Sequence, residues 1–246
     1  MRQNFTVEVK PTISALKQHA AFDGGDVLFD WTEFEIPSGG AKLIGVTALY
    51  RPKGDTDPTP NAFPMELIFG RVGATLGAPN AVFNAATPTE DIMGLIKVLA
   101  GSTGATATST TCIATSTGNS VVISSDPTNP LQGSNVGVQK FYVAGIATGA
   151  FNFVTATNII AADGAASATL TCDGTGADLR QHFLPGDIIS TGTAVGGIAA
   201  GTLLGTVKTV GSATAITLTA TSTTALKDGM LLYNTRPIKL LLHFEK

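Results

Sequence analysis

Residues 183–233, FLPGDIISTGTAVGGIAAGTLLGTVKTVGSATAITLTATSTTALKDGMLLY, constrain this chain more than any other stretch. Thr, Val, Ile and Leu fall there in short alternating runs, and glycines, some of them paired, separate the runs. Alternation bounded by glycine predicts half-buried β-strands, because successive side chains of a strand point to opposite faces. The segment holds few charges and almost no group that could do chemistry. It predicts a structural β-module with a quiet surface rich in Thr and Ala.

The 246 residues allow one large β domain or two small ones. Charged residues make up 13% of the chain, about half the usual ~25%. Thr, Ser, Gly and Ala fill the deficit rather than large apolar side chains. Such a surface lacks the clustered Lys and Arg that phosphate neutralisation needs, and a net charge of −3 agrees, so nucleic acid is not an expected partner. No apolar run reaches the roughly 18 residues of a membrane-crossing helix, so no membrane partner is expected. The start, MRQNFTVEVK, is polar and alternating and shows no apolar core of a secretory signal. Cys112 and Cys172 both sit among threonines. They are either a disulfide or two buried free thiols, and a chain without a secretion signal favours the thiols.

Along the chain, 5–10 (FTVEVK) reads as a first strand, and 13–22 as a short helix or a loop. DGGD at 23–26 is a turn, with a positive φ at Gly24 or Gly25. In the strand 27–36, Val27, Phe29, Trp31 and Glu33 fall on one face and Leu28, Asp30, Thr32 and Phe34 on the other. Residues 41–52 have the apolar character of a buried central strand, and 64–72 form another strand. The segment 90–101 is the best helix candidate, with Thr89 as N-cap, Glu90 and Asp91 in the first turn and Gly101 at its end; a strand, IKVLA, competes. TCIAT and SVVIS predict two short strands around TGN, and 136–154 one or two strands. RPIKLLLHFEK (236–246) closes the chain as an apolar strand.

The final strand and FYVAG share large side chains with the N-terminal strands, unlike the Thr/Ala segment between them. The expected fold is all-β and mainly antiparallel, with few short helices. Residues 1–153 and 234–246 would make a β-sandwich or jelly-roll-like domain, and 154–233 a second, inserted Gly/Thr-rich β domain. A plain two-domain order with a boundary near 154 is the alternative.

No constellation predicts catalysis, a cofactor or a metal. His19, His182 and His243 are isolated, and no Ser sits in a G-x-S-x-G elbow. His243 alternates within an apolar strand, where a satisfied or edge-exposed histidine is expected, and His182 reads as a loop residue or the start of a strand. The pairs Asp23/Asp26, Asp55/Asp57 and Asp173/Asp178 lie with Gly or Pro, as turn formers do. DTD at 55–57 and DGTGAD at 173–178 loosely suggest calcium loops but lack the terminal Glu and further acids of an EF-hand. The glycine-rich stretch has neither the lysine of a P-loop nor a G-x-G-x-x-G opening a helix. Asn4-Phe5-Thr6 matches a glycosylation acceptor without an expected consequence.

The order PGDIIS–TGT–GGIAAGTLLGTV–TAITLTATSTTAL resembles a module of tailed-bacteriophage structural proteins. Gly186-Asp187 opens it, Gly201-Thr202 and Gly205-Thr206 hold its middle, and the strand from Ala215 closes it. The N-terminal part is similar in character to phage head decoration (cement) proteins, though much longer than the small ones. The resemblance implies a virion structural protein on the capsid surface, made in the host cytoplasm. Its implied partners are the major capsid protein and copies of itself, as a trimer. The alternative is a tail-fibre or receptor-binding protein contacting host glycans; an enzyme is not expected. Phe22 and Trp31 are contact candidates unless they belong to the core.

Overall fold

The computed structural model describes residues 3–13, 18, 20–51, 63–71, 76–83, 91–99, 112–124, 138–152, 159–174 and 178–246. The elements among them are nearly all strands: β1 (Asn4–Val9), β2 (Val27–Pro37), β3 (Ala41–Tyr50), β4 (Met65–Gly70), β5 (Ile92–Val98), β6 (Cys112–Ile123) and β7 (Val138–Ala147). After these come β8 (Thr169–Thr171), a four-residue helix α1 (Leu179–His182), β9 (Ile188–Thr191), β10 (Leu203–Val210), β11 (Ala215–Leu218), β12 (Leu232–Asn234) and β13 (Ile238–Glu245).

Two four-stranded sheets run in the orders β1-β13-β3-β6 and β2-β7-β4-β5, and every ladder is antiparallel. Successive strands lie in opposite sheets except β4 and β5. This interleaving is the strand order of a jelly roll, in which two facing sheets are wound from one chain. Alternation explains why these segments settle there. In β13, Ile238, Leu240, Leu242 and Phe244 are buried, while the residues between them reach the outer face. Phe34 from one sheet stacks on Phe244 from the other at 6.2 Å between ring centroids, and also meets Phe69 and Phe141. A second run of rings, Phe22–Phe151–Phe63–Tyr50, lies in the same core.

Four expectations need correction. The segment read as a helix at 90–101 is strand β5, because Ile96 and Val98 repeat every second residue into the core against β4; Thr89, Glu90 and Gly101 lie outside the described residues. TCIAT and SVVIS are one strand, β6, not two. Both halves pair with β3, and the register jumps from Thr117 to Val121 across Gly118, whose φ of 74° absorbs the extra residues as a bulge. The strict two-faced reading of 27–36 fails at its start: pairing with β7 slips twice between Val27 and Thr32, so Leu28 and Phe29 both enter the sandwich core. Val27 and Trp31 pack on the outer face with Leu76, Ala144 and Phe83. His182 ends helix α1 and is buried, because Asp178 caps that turn by accepting from the Arg180 N–H. The DGGD turn forms as expected, with the positive φ at Gly25.

A third sheet, β12-β9-β10-β11-β8, is built from the Gly/Thr-rich stretch. It has its own hydrophobic cluster, including Leu170, Phe183, Ile189, Leu204, Ile216 and Leu232. The sandwich cluster draws instead on residues from Val9 to Val143 and Ala147, and from Ile238 to Phe244. The two clusters share no residue. The chain leaves the sandwich after β7 and returns to it at β13. Backbone bonds stitch the return: Thr235 N–H donates to Ile188, Ile13 N–H to Thr235, and Arg51 N–H to Pro237.

Candidate attachment surfaces

Pairing in the third sheet sets threonines side by side. Thr209 on β10 faces Thr217 on β11, which faces Thr169 on β8, while Thr171 pairs with Ala215 in the next rank. Ile216 and Leu218 turn to the other face and are buried. Alternation thus divides the strand into an apolar inner face and an outer face of methyls and hydroxyls. Such a face buries its methyls readily and can satisfy its hydroxyls across a contact, with Lys208, the exposed extra residue of the β10 bulge, as the charge beside Thr209. Beyond it, Val195 and Ile198 close a tight hairpin over Gly196 and Gly197. Both glycines have positive φ, 55° and 84°, which a two-residue turn of this hand demands and side chains resist.

A second candidate surface lies on the sandwich. Strands β5 and β6 are the outermost of their sheets and pack beside each other. Gly94 allows this approach, since a Cβ there would come within 2.9 Å of Val121 Cγ1. Leu95, Leu99, Ile113 and Val122 stand exposed on or next to these two strands. The edge is therefore largely apolar, with Lys97 between Leu95 and Leu99 on the same face and reaching Glu66 at 3.8 Å.

The groups singled out from the sequence do not converge. His243 sits on the outer face of the first sheet between two threonines, with Thr6 Oγ1 at 3.1 Å from Nδ1 and Thr47 Oγ1 at 3.0 Å from Nε2. Thr6, the third residue of the glycosylation triplet, is thereby engaged. Asp23 and Asp26 bond within their own turn. Asp178 is clasped by Arg180, whose hydrogen bonds hold its carboxyl below the usual range. His19, Asp55 and Asp57 lie outside the described residues. Among the described residues no three His, Cys, Asp or Glu gather as a metal site. Phe22 is in the core, and Trp31 is half-buried on the outer face of the second sheet. Cys172 is a buried free thiol, raised to about 12 by burial and then by Asp173 beside it.

Sequence reasoning missed the ion pairs that hold the module. Asp187, read as opening the module with Gly186, takes a 2.9 Å bond from Arg51 Nη2 across the junction with the sandwich. Asp163 bonds Lys227 and the Asp228 N–H, and the latter leads in holding its carboxyl low. No local signal marks partners 136 or 64 positions apart. Gly192 is a further hidden constraint: a Cβ there would lie within the ring of Tyr233. Gly192→Ala is expected to cost about 1–3 kcal/mol, as overpacking a filled site does. A urea titration checks this, and an unchanged midpoint would show that the ring moves aside freely.

Fold and surface together define a jelly-roll sandwich that carries a threonine-faced third sheet. No family model and no curated protein matches the chain. A solved structure titled "Structure of infectious bursal disease virus Gx strain" contains a similar chain, at 11% identity over 99% of this chain and 40% of that one, with a TM-score of 0.16. The present chain thus spans two fifths of that neighbour, and at this score the likeness carries no argument about fold or function.

Proposed function

We propose that this protein is a structural component of a tailed-phage virion, a capsid decoration protein that binds the head surface and bridges neighbouring capsid subunits. The observation that carries this reading is the presence of two contact surfaces poor in charge on one chain: the threonine ranks of the third sheet, with Lys208 beside them, and the largely apolar β5–β6 edge, with Lys97 on it. Jelly rolls serve in viral capsids among other roles, and the stretch 183–233 resembles a phage structural module. The partners are the major capsid protein and further copies of this chain as a trimer, with neither nucleic acid nor membrane involved. Residues 154–233 act as a displayed module between the last two strands of a sandwich formed by 1–153 and 234–246. The reading assigns no catalytic, cofactor or metal residue. A specific interface buries about 1,600 Å², and repetition over many equivalent junctions multiplies weak contacts into firm attachment.

Purified protein mixed with undecorated capsids is expected to saturate a fixed number of sites and to leave host cells uncoated. Leu95→Lys with Val122→Lys is expected to weaken that binding while leaving the fold intact, because both side chains are exposed. Binding to host lipopolysaccharide alone would overturn the proposal and favour a receptor-binding role.

A further inference from the structure

A cleft of about 370 Å³ opens where the sandwich meets the third sheet. That volume lies in the range of small-ligand sites, roughly 300–1,000 Å³. One wall is the turn that opens the module, Leu184 to Asp187; the other comes from the ends of β1, β3 and β13. Four cations line it: Lys10, Arg51, Arg236 and Lys239.

The carboxylates nearby are already committed. Asp187 accepts from Arg51 at one oxygen and from the Leu184 N–H, at 2.8 Å, at the other. Glu8 gives one oxygen to Lys10 at 2.7 Å and the other to Lys239 at 2.8 Å, and these bonds, Lys10 first, hold its carboxyl below the usual range. Four cations thus face two carboxylates, which leaves an excess of two positive charges among the described residues of the cleft. Arg236 is exposed and forms no ion pair among the described residues, although its backbone N–H is fixed by Asn234 Oδ1 at 2.8 Å. An arginine whose backbone is anchored and whose fork makes no ion pair among the described residues suits a carboxylate or phosphate, which it can grip with two parallel bonds. Between the cations lie apolar patches from Leu49, Leu184, Pro185 and Pro237.

We propose that this cleft binds an acidic sugar. The acid group faces Arg236 and the lysines, and the C–H face of the ring lies on the prolines and leucines. A neutral sugar would leave the excess charge unmatched, and a bare anion would leave the apolar patches wet. The site is separate from the attachment surfaces, so the proposal stands or falls without the capsid.

Calorimetric titration of the full chain tests it, with D-glucuronate, glucose 6-phosphate, glucose and inorganic phosphate as probes. Saturable binding is expected for the two acidic sugars and not for glucose, and their relative affinity shows whether a carboxylate or a phosphate is preferred. Arg236→Gln is expected to weaken binding about tenfold, the scale of one lost charge-assisted contact. Its circular dichroism should be unchanged, since the side chain is exposed. The proposal is overturned if neither acidic sugar binds, or if Arg236→Gln binds as well as the parent. Inorganic phosphate binding as tightly as glucose 6-phosphate would also overturn it, by showing a plain anion site.

Discussion

Replacing Phe34 with alanine is expected to destabilise the sandwich by about 3–5 kcal/mol, the cost of truncating a buried aromatic ring. Phe34 is nearly inaccessible and touches rings from both sheets: Phe69 and Phe141 on its own side and Phe244 opposite. Its removal opens a cavity at the seam of the two layers. Neighbours held in paired strands cannot collapse into that space, so the lost contacts are not recovered. Urea unfolding followed by the fluorescence of Trp31, the single tryptophan, reads the shift. Val82→Ala is the comparison, because Val82 is exposed on a loop and its truncation should stay within about 0.5 kcal/mol of the parent. A Phe34→Ala midpoint close to the parent's would mean that the sheets are not held together through this ring.

The second large effect is a loss of stability in alkali. Burial pushes Cys172 up to about 12 from an ordinary 9.0, with Asp173 adding to the rise, and burial pushes Tyr233 to about 12 from 10.0. In the unfolded chain both groups ionise earlier than in the folded one. Between the two values the unfolded state binds fewer protons, so stability falls as pH rises. The contribution is intact below about pH 9 and declines through pH 12, by about 1.4 kcal/mol per pH unit for each group within its window. Urea midpoints at pH 7, 9, 10 and 11 should therefore drop progressively. Cys172→Ala should remove the part that begins near pH 9, and Tyr233→Phe the part that begins near pH 10. Retention of the full slope in both variants would show that other groups carry it.

Much of the architecture is legible in local pattern. Strict alternation at 5–10 and an apolar run at 236–246 marked strands that pair with each other at opposite ends of the chain, and the Asp-Gly-Gly-Asp turn formed where its residues required. Legibility fails where two rules compete. At 90–101, acids at the start and glycine at the end imitate helix boundaries, yet the core-facing Ile96 and Val98 obey a period of two. At Gly118 a turn signature became a bulge, because β3 was long enough to pair with both flanking halves. The contact surfaces divide in the same way. The threonine content of the module can be counted from the sequence, but the ranks depend on a register that only pairing defines.

The sequence by itself determined that this chain is built from β-strands and that residues 183–233 present Thr, Ala and Gly rather than reactive groups. Those outcomes follow from side-chain alternation, glycine punctuation and low charge, which act within a few residues. Only the tertiary structure decided that the sandwich strands interleave as a jelly roll, that Arg51 reaches Asp187, and that Lys10, Arg236 and Lys239 share one cleft with them. These depend on contacts between residues far apart in the chain, and local pattern does not encode such partners. Which faces meet is decided by the burial of two separate cores, and the charges left at their junction follow from that packing.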